Sequence, residues 1–123
     1  MARFAPEGYE IPLRYAVRAG DWVIASGQVG HVDFTLVEGG FEAECRQAIK
    51  NLRSALQGAG ADLEHVVKGN VYLADIKDFG RMNEIWVEFF HAPFPARTAM
   101  GVADLPFGAR VELEAWAYNP LND

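Results

Sequence analysis

Apolar and polar residues alternate along two early stretches, RYAVRA (14–19) and WVIASGQV (22–29), and this period of two predicts a pair of strands. Gly20 and Asp21 stand between them as a two-residue hairpin signal. GHVDFTLVEGG predicts a loop with a short strand inside it, and Gly39-Gly40 punctuates its end. The period then changes. Phe41, Cys45, Ala48, Ile49, Leu52, Ala55, Leu56 and Ala59 recur every three or four residues, one buried stripe of a helix that Gly58 and Gly60 stop. HVVKGNVYLA returns to period two, with Val67, Gly69, Val71 and Leu73 facing one way and Lys68, Asn70 and Tyr72 the other. Asp75 or Asp78 can cap a second helix, whose apolar face is Phe79, Met82, Ile85, Trp86, Phe89 and Phe90. Two further strands, ARTAMGVA and ARVELEAWAY, are joined through the turn residues of DLPFGA.

The predicted order is ββαβαββ, an α+β domain over residues 1–123 with one sheet and two helices. Two helices cover one sheet face only. Alternation places Trp22, Ile24 and Trp116 on the other, a larger apolar patch than a monomer leaves wet. A loop folded across it is one way to cover that face. No loop here is long enough, so burial against sister subunits is expected.

Composition changes this picture little. Half of the residues are apolar and 23% are charged, which argues against disorder. A formal charge of -6 argues against a general nucleic-acid binder, whose phosphate contacts need a basic field. The stretch MARFAPEGYE lacks the apolar core of a signal peptide, and no run reaches membrane-spanning length. With Cys45 as the single cysteine, no internal disulfide can form, and a cytoplasmic protein is expected. Cys45 lies on the helix stripe and reads as packing. His31, His65 and His91 have no metal-ligand spacing, so no metal is expected. Ser26 and Ser54 sit in no nucleophile elbow, and no glycine-rich phosphate loop supports a nucleotide cofactor.

Arg97 carries more information. Pro93 and Pro95 fix their own φ and push their predecessors to extended geometry, which holds this arginine at one point near a strand start. Alternation gives it Ala99, Gly101 and Ala103 as face neighbours, small residues that leave room beside the guanidinium. Its planar fork matches a carboxylate. Bonding a loop carbonyl or an internal acid is the other reading. Glu112 and Glu114 share a face of the last strand with Arg110 and Trp116. One of the two acids can pair with an arginine, and one can line a cavity and hold or deprotonate a water. Two exposed strand acids would look the same.

Taken together, ASGQVG, NLRSALQGAGADLEHVVKGNVYLADIKDFGRMNEIWVEFF and PFPARTAMGVADLPFGARVELEAWAY resemble the Rid family, also called YjgF-type or L-PSP. The resemblance runs from about Pro12 to Tyr118, and its most specific element is the pattern PAR-(x)n-LP-x-GA-x-VE-x-EA. It implies a chorismate-mutase-like (bacillus-type) fold with one mixed sheet, in a homotrimer whose sheets meet at the centre. It also implies cofactor-free hydrolysis of small carboxylate-bearing enamines and imines to 2-keto acids and ammonia. By position, Arg97 resembles the arginine that grips the substrate carboxylate, and Glu112 the acid that positions the attacking water. Asn83 and Ser26 resemble pocket-lining residues near the subunit interface. Leu13 stands where the family archetype has a pocket tyrosine, and Ala99 where it has a cysteine. Loss of two polar groups predicts a roomier, more apolar pocket, unless an aromatic such as Phe107 or Phe34 folds in to fill it. Two other readings stay open: a regulatory module that binds a small carboxylate without turnover, and the ribonuclease that the L-PSP label implies. The acidic composition counts against the second.

Overall fold

Gly20, at a φ of +61°, turns the chain between β1 (Ala16–Ala19) and β2 (Trp22–Val29), which pair antiparallel with Ala19 opposite Trp22. A positive φ at the first turn position matches the twist of the two strands, as the glycine predicts. This computed structural model describes Arg3 and residues 7–121. The predicted loop contains a small hairpin of β3 (His31–Val32) and β4 (Thr35–Leu36). There follow α1 (Gly40–Gly58), β5 (Val66–Leu73), α2 (Phe79–Phe89), β6 (Ala96–Gly101) and β7 (Val111–Tyr118). The main sheet runs β1-β2-β7-β5-β6. Only the β5–β6 pair is parallel, so the sheet is mixed and the domain is α+β. Among the described residues no helix is long and apolar enough to cross a membrane.

Both helices pack on one sheet face. Val23, Val71, Val111 and Leu113 meet Ile49, Leu52, Leu56, Met82 and Ile85 there in one dry layer. Cys45 is buried in that layer, and burial pushes its thiol up to about 12, so it packs and does not react. Trp22, Ile24, Trp116 and Tyr118 stand on the opposite face, with Trp22 opposite Tyr118 and Ile24 opposite Trp116. Trp22 keeps 41% of its surface exposed and Ile24 39%. The expected uncovered apolar face is therefore present.

Two local expectations fail for identifiable reasons. A β-bulge between Val66 and Lys68 adds one residue to β5 and reverses the parity before it. Val66 is consequently buried and Val67 exposed, whereas Gly69, Val71 and Leu73 keep their predicted face. At the second helix, Asp78 makes no capping bond. Asp75 accepts a hydrogen bond from the Lys77 amide at 2.9 Å and starts a single 3-10 turn that runs into α2. Phe90 lies just past the end of α2, yet it is buried and stacks on Trp86 at 4.0 Å.

One acid lies inside. Glu44 is fully buried on α1, where its carboxylate accepts from the Arg110 amide at 2.9 Å and from the Arg110 guanidinium. This pair fastens α1 to the start of β7, and Gly30 lets β2 run against the same point. A Cβ at position 30 would sit 2.3 Å from the Glu44 carbonyl oxygen. Gly30→Ala should therefore cost about 1–3 kcal/mol of stability, since backbone on both sides would have to move. Gly80, in the first turn of α2, has open space around its missing Cβ. Gly80→Ala should be neutral or stabilising by up to about 1 kcal/mol. Denaturant titration of both variants checks this opposite pair of signs.

Candidate active site

Arg97 points to the helix-covered side, aligned across the sheet with Gly69 and, through it, Ala115. The residues of α2 hold its guanidinium. Nη2 donates to Asn83 Oδ1 at 2.6 Å, and Nη1 lies 3.5 Å from Met82 Sδ. The group also sits over the rings of Trp86 at 5.0 Å and Phe79 at 5.7 Å. The expected empty room is thus largely taken by α2. A Cβ at Gly101 would meet Ile76 at 3.2 Å, and β6 ends there, so Ala103 does not share the face.

Neither alternative partner for this arginine is realised. Among the described residues its only oxygen partner is an amide, and it makes no salt bridge there. Arg46, Arg53, Arg81 and Arg110 each pair with an acid, and Arg18 is satisfied by the carbonyls of Gly20, Ala59, Gly60 and Asn119. Burial without an anion lowers the pKa of Arg97. A guanidinium has five N–H donors, and the described bonds occupy two nitrogens. Its charge therefore remains available to a carboxylate.

Glu112 occupies the opposite face. It is aligned with Val29 on β2 and Tyr72 on β5, and its side chain lies over Gly27. A Cβ at Gly27 would fall 2.7 Å from Glu112 Oε2. The glycine is therefore what admits this carboxylate to the sheet surface. Burial raises the pKa of Glu112, and the neighbouring Glu114 raises it further. Glu114 is spoken for: it accepts from the Tyr72 hydroxyl at 2.6 Å and from Asn70 Nδ2 at 3.3 Å. No described residue hydrogen-bonds the Glu112 carboxylate, which opens to a cleft of about 570 Å³. Tyr9, Ile11, Leu13, Phe34 and Phe107 form much of its wall.

The predicted residues thus separate into two half-sets within one chain. Arg97, Asn83 and Ala99 lie toward the helices, and Glu112 and Leu13 toward the open cleft. Ser26 does not line that cleft. Its hydroxyl donates to the Arg14 carbonyl at 2.6 Å and its amide to the Tyr15 carbonyl at 2.8 Å. It therefore fastens the segment that carries Leu13 against β2. Among the described residues neither Glu112 nor Glu114 pairs with an arginine, and Arg110, just before their strand, binds Glu44.

Three wall and floor residues were not singled out as site residues. Gly27 carried a usable signal, a glycine inside a strand pattern, which marks a close approach. Phe34 and Phe107 had been placed only as possible fillers of the space beside Arg97, and they stand in the Glu112 cleft instead. Of the histidines, His31 uses Nδ1 to accept the Phe34 amide at 3.0 Å, and His65 uses Nδ1 to accept the Asp62 amide at 2.9 Å. Both bonds require an unprotonated Nδ1. Burial lowers the pKa of His31 against the opposing pull of Asp33, which favours that state.

Comparison with known proteins bears on the family and the fold. The profile of the family described as endoribonuclease L-PSP matches residues 9–119. A protein of Mus musculus named 2-iminobutanoate/2-iminopropanoate deaminase is 47% identical over 108 residues, covering 86% of this chain and 80% of that protein. The protein of the same name from Homo sapiens is 45% identical over 108 residues, 86% of this chain and 79% of its own. Among solved structures, RidA from an Antarctic Psychrobacter superposes with a TM-score of 0.84 at 38% identity, covering 96% of each chain. The YjgF gene product of E. coli superposes with a TM-score of 0.81 at 31% identity, covering 87% of each. Fold, motifs and identity converge, and the chain belongs to the Rid (YjgF-type) family, the family described as endoribonuclease L-PSP.

Proposed function

We propose that this protein hydrolyses reactive 2-imino and 2-enamino acids to 2-keto acids and ammonia, in clefts built between the subunits of a chorismate-mutase-like homotrimer. The observation that carries the reading is the half-buried Arg97, a cation with no acid partner among the described residues, in a chain 45–47% identical to proteins named imine deaminases. The uncovered sheet face supports the assembly. So does the division of the site, because Arg97 and Glu112 on opposite faces of one sheet cannot hold the same small molecule. A neighbouring copy would supply the missing half.

In this reading Arg97, aimed by Asn83, binds the substrate carboxylate with its fork and fixes the imine carbon in the cleft. Glu112 accepts a proton from a water as the water oxygen bonds to that carbon. Glu112 returns that proton to the nitrogen of the resulting amino alcohol, the carbon–nitrogen bond breaks, and ammonia leaves as the hydroxyl proton passes to Glu112 and the ketone forms. A protonated imine is already electrophilic, so an oriented water and one base are sufficient chemistry. The raised pKa of Glu112 suits a group that must both take and return a proton.

An amino-acid oxidase that generates the imine, coupled to detection of free ammonia, tests the reading. Arg97→Ala should lower kcat/KM by about tenfold to a hundredfold, the worth of a charged hydrogen-bond pair, and Arg97→Lys should rescue poorly. Unchanged hydrolysis in assembled Arg97→Ala protein would exclude the clamp. The shared site has its own signature. Arg97→Ala and Glu112→Ala proteins, each impaired alone, should regain about a quarter of wild-type activity when unfolded, mixed equally and refolded. Three-quarters of random trimers would be mixed, and each mixed ring would rebuild one cleft in three.

The pH profile is a second check. Glu112 must be ionised to take a proton, and its pKa lies above the ordinary glutamate value of 4.5. Activity should therefore rise with pH along a limb displaced upward from that value. In Glu112→Gln the limb should vanish together with most of the rate. A limb at the ordinary glutamate position, or one that survives in Glu112→Gln, assigns the base elsewhere.

A further inference from the structure

Among the described residues, three that are not glycine have a positive φ: Asp33 at +49°, Phe34 at +61° and Phe107 at +63°. The left-handed region is disfavoured for any residue with a Cβ, and most of all for a bulky one. Both phenylalanines line the cleft that holds Glu112. Each is locked by its surroundings. The Phe34 amide donates to His31 Nδ1 at 3.0 Å, and its ring stacks on the imidazole with centroids 5.4 Å apart. Phe107 lies within the 3-10 turn Pro106–Gly108, between a proline with fixed φ and a glycine at +73°. Asp33 and Phe34 form the two-residue turn of the β3–β4 hairpin, where the strand twist favours a positive φ at both positions, so that turn presents the Phe34 ring to the cleft. No hairpin accounts for Phe107, and strain held beside a cavity is the pattern of a ligand clamp.

The cavity itself says what is clamped. Tyr9, Ile11 and Leu13 come from the segment before β1 and complete an apolar wall, while Glu112 and Gln28 supply polar side chains. Its volume of about 570 Å³ in one chain has room for the Arg97 side that a neighbour would bring and for a side chain larger than methyl. The relatives named above take their names from three- and four-carbon imino acids, whose side chains are methyl and ethyl.

We propose that Phe34 and Phe107, with Leu13, set substrate selectivity, and that the preferred substrate is a 2-imino acid with a benzyl-sized apolar side chain. The inference rests on the imine-hydrolase reading. The aryl group would lie between the two phenylalanines, with the imine carbon toward Glu112. All of these walls belong to one chain, so a neighbour that brings Arg97 leaves them in place.

The test compares imines generated by an amino-acid oxidase from phenylalanine and from alanine, each corrected for spontaneous hydrolysis. Wild-type kcat/KM should favour the benzyl imine by at least about tenfold, since each buried methylene equivalent contributes roughly fourfold. Phe107→Gly and Phe34→Gly each remove a ring and admit the left-handed backbone without strain, which in Phe34→Gly offsets the lost contacts with His31 and Arg3. In each variant the benzyl-to-methyl ratio should fall by about tenfold, with the melting temperature unchanged or raised. A wild-type ratio at or below one, or a ratio unaltered in both variants, overturns the proposal. If the methyl imine is hydrolysed and the benzyl imine is not, only this inference fails. If neither is hydrolysed above the spontaneous rate, the imine-hydrolase reading fails with it.

Discussion

Two helices have enough surface to cover one face of a five-stranded sheet, and nearly everything else in this molecule depends on that limit. The covered face becomes the core, where Val71, Val111 and Leu113 meet Ile49 and Leu52. The uncovered face keeps Trp22 and Ile24 partly wet, and it is also the face that carries Glu112. Strand alternation then sorts the chemistry with no further instruction. Arg97 lies on a strand position of the covered face, and Glu112 on one of the open face. Neither residue could change sides without a shift of register that would also turn its strand's core residues outward.

Glycines tune this arrangement where it would otherwise not fit. Gly30 brings β2 against the backbone of α1 at Glu44, the same point at which Arg110 ties β7 to that helix. Gly27, within the bulge in β2, clears the space that the Glu112 side chain occupies. Both lie in the short stretch SGQVG, so one strand end supports the core on one side and the acid on the other. Ser26, beside them, anchors the segment that brings Leu13 to the cleft. The stretch does little chemistry itself and decides where the chemistry sits.

Much of this was legible because periodicity survives in a single sequence. The hairpin at Gly20-Asp21, both helices and the exposed tryptophan face all follow from apolar spacing. The stiffened Arg97 was legible from its prolines. What escaped was set by tertiary contact or by a single inserted residue. The bulge at Val66–Lys68 reverses the parity of β5 at its start, and no local residue type announces it. Glu44 lies beside the apolar stripe of α1, and its burial is decided by Arg110, which is 66 residues away. The room beside Arg97 looked empty because alternation reports a strand's own face and not the helix above it, where Asn83, Met82 and Trp86 fill the space. That Arg97 and Glu112 stand on opposite faces was not legible, because sequence positions carry no sign for the side of a sheet that faces a neighbour.

That division also has an electrostatic consequence. A guanidinium and a carboxylate about 4 Å apart near a protein surface attract by about 4 kcal/mol. Placed together in one chain, Arg97 and Glu112 would neutralise each other and be lost to the proposed roles of clamp and base, as Glu44 and Arg110 are spent on structure. On opposite faces each stays unpaired, and each is held in a less comfortable state by partial burial, the arginine with its pKa lowered and the glutamate with its pKa raised. A cation so prepared gains from an incoming carboxylate, and an acid so prepared gains from a proton. In the proposed assembly the two meet only across a subunit boundary, with the substrate between them. The sheet that separates them in one chain is then what keeps both groups available for reaction.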